Sequence, residues 1–192
     1  MKIREVKSQF TKIGKGNLLI SEPFLDDENF SRSVVFLSEV ANTGSIGFIL
    51  NKPTDLTTND ALPGVLSFNF SLYIGGPMEH DTLHFIYKGN AHIRNSIEII
   101  PGVYWGGNLD DVNTSIENGN LNPNDFKFFL GYSGWDGGQL ENEIEQKAWW
   151  MIPGNKAIVF AANTNTIWKE TVKLLGDDFA YMANSPNDYT WN

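Results

Sequence analysis

Ser133 stands in the segment of this chain that comes nearest to a catalytic nucleophile motif. The run Gly131-Tyr132-Ser133-Gly134-Trp135 follows an apolar, strand-like segment and precedes a predicted helix, which is the setting of the G-x-S-x-G nucleophile elbow. Trp135 occupies the last position, where the motif needs a small residue. All three histidines precede Ser133, whereas the base of that fold follows its nucleophile in the chain. The sequence therefore disfavours a catalytic serine.

Histidines and glutamates offer two further kinds of chemistry. His80 and His84 are four residues apart with two carboxylates beside them, a set of residue types that a metal ion can use. The surrounding residues predict a strand next to a turn, where such side chains are usually solvated, so we expect no metal site. Glu141 and Glu145 share one face of a predicted helix. Paired carboxylates do acid–base work only in a cleft that perturbs their pKa, so a role in complementing the helix dipole is favoured.

Composition excludes several other classes of site. The 192 residues contain no cysteine, so disulfides, thiolate catalysis and cysteine-based zinc or iron–sulfur sites are impossible. No Gly-Lys-Ser or Gly-Lys-Thr occurs and G-x-G-x-x-G is absent, so the common nucleotide-binding loops are missing. We expect no cofactor and no metal. The formal net charge of −9 repels phosphate backbones, so direct nucleic-acid binding is not expected.

The positive charges are concentrated at the start of the chain. Residues 1–16 contain five Lys/Arg and one Glu, so they carry +4 and the remaining residues carry −13. Spacings of three and four residues between Ile3, Val6, Phe10 and Ile13 predict a basic helix or arm over residues 1–15. Docking on the acidic body is favoured over a membrane-surface or partner arm, because four apolar residues make a weak anchor. No apolar stretch resembles a signal peptide or spans a bilayer, which predicts a soluble, cytoplasmic protein.

Hydrophobic patterning predicts strands in the first half and helices interspersed later. The predicted strands are Leu18–Ser21, Val34–Ser38, Ser45–Asn51, Ser71–Gly75, Thr82–Tyr87, Phe126–Gly131 and Ala157–Ala161. The predicted helices are Asp55–Leu62, one after Asn108, one that starts with an Asp136/Gln139 capping box and ends near Trp149-Trp150, and Thr166–Leu175. Strand and helix do not alternate regularly, which favours a single α+β domain with a mixed or antiparallel sheet. Residues 16–183 form this domain and residues 184–192 a polar tail.

Five blocks of residues occur in an order that identifies a relationship. They are Gly16–Pro23, Arg32-Ser33-Val34-Val35, Asn51-Lys52-Pro53, Gly75-Gly76-Pro77 and the G-Y-x-x-W-x-x-G-Q-L-E block at 131–141. From about residue 16 to about residue 182 the chain resembles the YqgE/AlgH family of bacterial proteins. The resemblance implies an α+β fold, with a mixed, largely antiparallel sheet, a barrel-like part and surrounding helices. It implies no reaction, cofactor or catalytic residue. Members often have His after Glu39, where this chain has Val40, so chemistry that needs that His fails here.

The block residues are our candidates for one pocket or partner surface, with independent structural turns as the alternative. Arg32 beside an apolar strand needs an acidic partner, for which Glu39, Glu141 and Glu143 are candidates. If one pocket exists, Arg32 and at least two of Asn51, Trp135, Gln139 and Glu141 should line it. The full candidate set is Arg32, Ser33, Glu39, Asn51, Lys52, Gly75, Gly76, Pro77, Tyr132, Trp135, Gly138, Gln139 and Glu141.

Three hypotheses about function follow from these observations. The leading one is a cytoplasmic, non-enzymatic regulatory or binding protein, because no coherent catalytic set accompanies the polar and Gly-rich blocks. The transcriptional-regulator label common in the family would then describe an indirect role, through a protein or small-molecule partner, since the chain has no helix-turn-helix pattern. The alternatives are a small-molecule hydrolase with an Arg/Glu-lined pocket and a purely structural interaction domain.

Overall fold

The computed structural model describes residues 12–185, so most of the predicted N-terminal helix or arm and most of the polar tail lie outside the described residues. Within this range the strands are β1 (Asn17–Ser21), β2 (Val34–Ala41), β3 (Gly44–Ile49), β4 (Pro53–Thr57), β5 (Ser71–Ile74), β6 (Met78–Lys88), β7 (Ile97–Ile100), β8 (Val103–Trp105), β9 (Phe126–Asp136) and β10 (Trp149–Pro153). The α-helices there are α1 (Thr58–Ala61), α2 (Leu109–Glu117), α3 (Gln139–Glu145), α4 (Lys156–Val159), α5 (Ile167–Leu174) and α6 (Asp177–Ala180), and 3₁₀ turns occur at Pro123–Asp125 and Met182–Asn184. None of these helices has the length and apolar character that crossing a bilayer requires.

The strands form one mixed, largely antiparallel sheet, which confirms the predicted α+β fold. Its order is β10-β1-β2-β3-β9-β6-β8-β7, and β5 joins β4 to β9 beside this path. The one parallel ladder in the described part of the chain is β5–β9. Strand β9 is central because its two halves pair differently: residues 133–136 pair with β3, and residues 126–132 pair with β6.

The sheet does not close, although its two ends approach each other. Within residues 12–185 no ladder joins β10 to β7. Lys15, just before β1, donates from Nζ to the carbonyl oxygen of Glu98 in β7 over 2.9 Å. A Cβ placed on Gly16 would overlap Cγ2 of Ile100, so glycine lets these ends pack together. The barrel-like part is therefore an open barrel whose gap is bridged by side chains.

Three apolar clusters build the core. The first lies inside the open barrel under α5 and includes Leu18, Ile20, Phe36, Phe48, Phe129 and Trp168. The second joins α2 to the opposite face of β5, β6 and β9 through Phe70, Phe85, Tyr87, Val112 and Phe128. The third covers the outer face of β1–β3 with α3 and includes Leu19, Val35, Leu37, Trp135, Leu140 and Trp149.

Three short segments differ from the sequence-based predictions. Residues 157–161, predicted as a strand, instead lie in α4 and just after it; the N-cap Asn155 accepts at Oδ1 from the Ile158 N–H over 3.0 Å. Trp149-Trp150 lie in β10 rather than at a helix end, because they pair with Ser21 and Ile20 of β1. The predicted helix over 55–62 begins later, since the chain up to Thr57 pairs with β5 as β4.

Candidate functional site

The hairpin β2–β3 separates the candidate residues into groups at its two ends. Arg32 precedes β2 and Asn51 follows β3, at one end. Glu39 lies near the other end, paired with Ile46. From the start of β2 to Glu39 the extended chain spans roughly 16 Å, at about 3.3 Å per residue. The structure therefore does not bring Arg32 and Asn51 into one concave site with Glu39, Trp135 and Gln139.

Asn51 and Arg32 fasten the start of β2. Asn51 donates from Nδ2 to the carbonyl oxygen of Arg32 over 2.8 Å and accepts at Oδ1 from the Val34 N–H over 2.9 Å. The Arg32 guanidinium donates to the carbonyl oxygen of Ser185 over 2.7 Å and lies 4.8 Å from the Trp168 ring centroid. Burial lowers the pKa of Arg32. The prediction that Arg32 pairs with Glu39, Glu141 or Glu143 is wrong, because its position before β2 turns it towards α5 and Ser185.

Ser33 and Lys52 hold the loop between β1 and β2. Ser33 is fully buried; its N–H donates to Ser21 Oγ over 2.9 Å and its hydroxyl to the carbonyl oxygen of Phe30 over 2.8 Å. Lys52 Nζ donates to the carbonyl oxygens of Glu28 and Asn29 over 2.7 and 2.6 Å. Burial lowers the pKa of Lys52, while the nearby charge of Asp27 acts in the opposite direction. These contacts are those of a structural clamp.

Gly75, Gly76 and Pro77 form a close crossing of the chain over β9. A Cβ on Gly75 would overlap the carbonyl oxygen of Gly131, and one on Gly76 would overlap the carbonyl carbon of Tyr132. Ser133 is fully buried and donates from Oγ to the carbonyl oxygen of Gly75 over 2.9 Å. The Ser133 hydroxyl, which the nucleophile motif suggested as catalytic, therefore links β9 to this crossing.

A groove of about 470 Å³ lies at the far end of the hairpin, and we call it the hairpin groove. Four of the candidate residues line it: Glu39, Tyr132, Trp135 and Gln139. The other lining residues come from the turn and from strands β3, β6 and β9; they are Thr43, Gly44, Ser45, Ile46, Met78, Gly134 and Asp136. The groove is the place where the structure brings sequence-predicted residues from separate blocks together.

Strand register explains how the floor of the hairpin groove is built. Ile46 of β3 lies between Glu39 of β2 and Gly134 of β9, and Gly44 lies beside Asp136. Side chains alternate along a strand, so Glu39, Ile46 and Asp136 project from the same face as Tyr132. Gly44 and Gly134 add no side chain, so Ile46 forms the floor between the two acidic residues.

The two carboxylates at the hairpin groove are exposed. Within residues 12–185 the ion pairs are Lys88–Asp125 and Arg94–Asp111, so neither Glu39 nor Asp136 takes part in one. Both side chains are turned to solvent. The groove therefore presents negative charge that no described basic side chain neutralises.

Glu143 holds two of the lining residues, Trp135 and Gln139, from the side of α3. Its Oε2 accepts from Nε1 of Trp135 over 2.9 Å and from Nε1 of Trp149 over 2.8 Å, and its Oε1 accepts from Nε2 of Gln139 over 2.9 Å. Trp135 is only 5% exposed and stacks on Phe30, with ring centroids 5.9 Å apart. Sequence reasoning gave Glu143 no such role; the available signal was one acid between two tryptophans.

Gly138 and Glu141 belong to the start of α3 and lie beside the groove rather than in it. Gly138, not Asp136, is the N-cap of α3; its φ is 82°, and a Cβ placed on it would have no atom within 4 Å. The predicted capping box is therefore corrected: Gln139 reaches back to accept from the Asp136 N–H over 3.0 Å. Glu141 is exposed on α3.

A second cavity, of about 410 Å³, lies where β8 leaves β6. His84 and Trp105 line it with Leu83, Ile97 and other mostly apolar residues. Burial lowers the pKa of His84, and its Nε2 lies 2.9 Å from Thr82 Oγ1. His80 and His84 do not belong to a metal-binding cluster, since no group of three His, Asp or Glu within residues 12–185 could hold a metal ion.

Lys127 is a buried cation on β9. It is 6% exposed, and its Nζ has no hydrogen-bond partner among the described residues. The ammonium lies 4.4 Å from the Tyr73 ring centroid. Burial lowers the pKa of Lys127 to about 8. Lys127 was not among the sequence-based candidates. The only signal in the sequence was a single lysine within an otherwise apolar strand pattern.

Comparison with known proteins gives one family for most of the chain. A family model described as AlgH-like matches residues 18–180. A UPF0301 protein from Cytophaga hutchinsonii is 40% identical over 175 residues, covering 91% of this chain and 96% of the relative. One from Chlorobium limicola is 38% identical over 179 residues, covering 93% and 96%.

Two solved structures resemble the whole fold. The solution structure of the AlgH protein from Pseudomonas aeruginosa superposes with a TM-score of 0.69 at 25% identity, covering 97% of this chain and 98% of that one. The crystal structure of a protein from Corynebacterium diphtheriae superposes with a TM-score of 0.77 at 20% identity, covering 91% and 93%. At 20% identity the second likeness concerns the fold alone.

Proposed function

We propose that this protein, which belongs to the AlgH-like family, is a non-enzymatic binding protein. It regulates its partner through the hairpin groove. The supporting observation is that Glu39, Tyr132, Trp135 and Gln139 line one groove. Its volume of about 470 Å³ is within the range of ligand sites, and such sites are common at barrel mouths. The hydrogen bonds to Glu143 hold two of the lining residues, Trp135 and Gln139, before any partner arrives. Residues that are already held lose less conformational entropy on binding.

The polar groups in and near the groove favour binding over catalysis. Gln139 and the Trp135 indole are already engaged by Glu143, and the Ser133 hydroxyl is engaged by Gly75. A nucleophile needs a base within hydrogen-bond reach, and these contacts leave Ser133 bonded to a backbone carbonyl instead. An Arg/Glu-lined hydrolase pocket would need Arg32 near Glu39, whereas the length of β2 separates them. No observation favours the hydrolase alternative.

The regulatory role that we propose does not involve contact with DNA. The acidic groove and the net charge of −9 oppose phosphate binding. A regulator with these properties acts on another protein or on a small ligand. We place it in the cytoplasm, as its composition predicts.

Site-specific crosslinking tests the groove as the partner site. The chain has no cysteine, so Thr43→Cys creates a single attachment point at the groove rim. A maleimide–benzophenone on this residue should capture a partner in an extract of the host cell. The same label on Asn118→Cys, exposed just after α2 and not part of the groove, is the matched control.

The captured partner, once purified, should bind the unlabelled protein. Gly134→Leu fills the groove floor between Tyr132 and Met78, and should weaken that binding at least tenfold while the circular dichroism spectrum stays unchanged. Equal capture by the two labelled variants, or equal affinity for the Gly134→Leu protein, would refute the groove as the functional site.

A further inference from the structure

We infer that the hairpin groove binds an arginine side chain presented by a partner protein. This inference rests on the proposed function, because it names the chemistry that the partner offers to the groove. It begins from two acidic residues on strands that flank β3: Glu39 on β2 and Asp136 on β9. Both project from the same face, both are exposed, and neither forms an ion pair within residues 12–185.

The separation of Glu39 and Asp136 on the sheet suits a branched cation. Two strand spacings separate β2 from β9, which is about 10 Å, and Glu39 and Asp136 are offset along the strands by one two-residue repeat of roughly 7 Å. Both side chains project from the face that carries Ile46, on the strand between them. A guanidinium offers five N–H donors spread over a planar fork, so it can contact two separated carboxylates at once. A lysine ammonium is a compact point charge and favours one carboxylate at a time.

The floor of the groove suits the aliphatic part of an arginine. The Ile46 side chain lies between Glu39 and Gly134, and the Tyr132 ring and the Met78 side chain lie next to Gly134, so the floor is apolar. The Tyr132 ring borders this floor and is held by an edge contact with His84, whose ring centroid is 5.7 Å away. Arginine stacks on aromatic faces, and a cation placed there is attracted by the ring. The exposed Met78 side chain adds an apolar wall for the aliphatic part of the arginine.

Charge complementarity identifies the occupant as part of a protein. The body of this chain carries a net charge of −13 beyond residue 16, which attracts a basic segment over a distance. A groove framed by two carboxylates and one aromatic ring matches a single exposed arginine flanked by small residues. The same negative charges repel nucleic acid and acidic ligands.

Three matched peptides test this inference by NMR. The probes are acetylated and amidated Gly-Gly-X-Gly-Gly peptides with arginine, lysine or citrulline at X. Citrulline keeps the planar shape of arginine but lacks its charge. We expect the arginine peptide to shift the amide signals of Gly44 and Gly134, with an affinity at least fivefold above lysine and twentyfold above citrulline. Raising the NaCl concentration should weaken the binding.

Charge-neutralising variants complete the test. Glu39→Gln and Asp136→Asn should each weaken binding of the arginine peptide at least fivefold, whereas Glu141→Gln, on exposed α3 outside the groove, should leave it unchanged. Equal binding of the three peptides, a preference for lysine, or no shift at Gly44 and Gly134 would overturn the inference. Capture of a partner through Thr43→Cys with failure of the arginine peptide would leave the proposed function standing, so the two failures are distinguishable.

Discussion

At the scale of single residues, Lys127 is the least favourable group in the core. Its ammonium has no hydrogen-bond partner among residues 12–185, and it is stabilised mainly by the Tyr73 ring at 4.4 Å. A cation–π contact offsets only part of the cost of removing a charge from water. Lys127 therefore reduces the free energy of unfolding below what an apolar residue at this position would give.

Replacing Lys127 with methionine should stabilise the protein. The variant keeps most of the length of the side chain and removes the ammonium, so the free energy of unfolding at pH 7 should rise by about 1–3 kcal/mol. Urea titration measures this change. Lys169→Met, at an exposed position on α5, is the control and should stay within about 0.5 kcal/mol of the parent. A destabilised Lys127→Met protein would contradict our description of this residue.

The advantage of Lys127→Met should shrink as the pH rises. The folded-state pKa of Lys127 is about 8, against an ordinary value of 10.5, so between these values the unfolded chain binds more protons than the folded one. The contribution of Lys127 to the free energy of unfolding therefore rises with pH over this window, by roughly 3 kcal/mol in total. Urea titrations of both proteins at pH 7 and pH 10 give the difference. A gap between them that does not change with pH would show that the lysine pKa is normal.

Glu143 should matter more for stability than any other acid on α3. Glu143→Ala would leave the indole N–H groups of Trp135 and Trp149 without their acceptor, at a cost of about 2–4 kcal/mol. Chemical denaturation followed by tryptophan fluorescence reports both the stability and the surroundings of these rings. Glu141→Ala, on the exposed side of the same helix, should cost less than about 0.5 kcal/mol. Similar losses in the two variants would mean that the carboxylate of Glu143 is not a structural acceptor.

At the scale of elements, Gly131 allows β9 to serve two neighbours. Its φ of 64° interrupts the alternation of side chains, so that Phe129 and Tyr132 both pack against the interior cluster. After Tyr132, β9 leaves β6 and pairs with β3, which creates the floor of the hairpin groove. The position of the groove thus depends on one left-handed residue in a central strand.

Two left-handed glycines make a matched test of this point. Gly131→Ala should be destabilising by about 2–4 kcal/mol, because the new Cβ would lie 2.5 Å from the carbonyl oxygen of Met78 in addition to the strain of a positive φ. Gly138→Ala, with φ of 82° and open space around it, should lose only about 1 kcal/mol. Thermal unfolding measures both. Equal losses would mean that backbone strain alone, and not the close crossing, requires glycine at 131.

Elements with a long apolar pattern were predictable, and short ones were not. Strands β1, β2 and β3 and helix α5 follow from their own residues, since each buries a regular set of side chains. The chain at 149–153 is also apolar, but it directly follows a helical pattern, and it becomes a strand because β1 offers it a partner. In the site, the residue types were recognisable in the sequence. Their division into two groups depends on the pairing register of the β2–β3 hairpin. The blocks themselves do not specify which residues pair across this hairpin.

At the scale of the whole molecule, the acidic charge should exclude DNA. We expect no saturable binding of a labelled duplex in fluorescence anisotropy at physiological salt, at protein concentrations up to about 10 µM. At low salt the basic residues among 1–16 should give weak attraction that disappears when NaCl is added. Submicromolar, sequence-selective binding at physiological salt would contradict an indirect regulatory role.

The open sheet has exposed strand edges, and these bear on how copies of the protein avoid joining one another. An unpaired edge is a template on which a strand from another molecule can add, which leads to aggregation. The edge strands in the described part of the chain are short, and each has a proline at or next to one end: β4 begins at Pro53, β7 is followed by Pro101 and β10 ends at Pro153. Proline has no N–H to donate to an incoming strand. The barrel can therefore remain open without inviting edge-to-edge polymerisation.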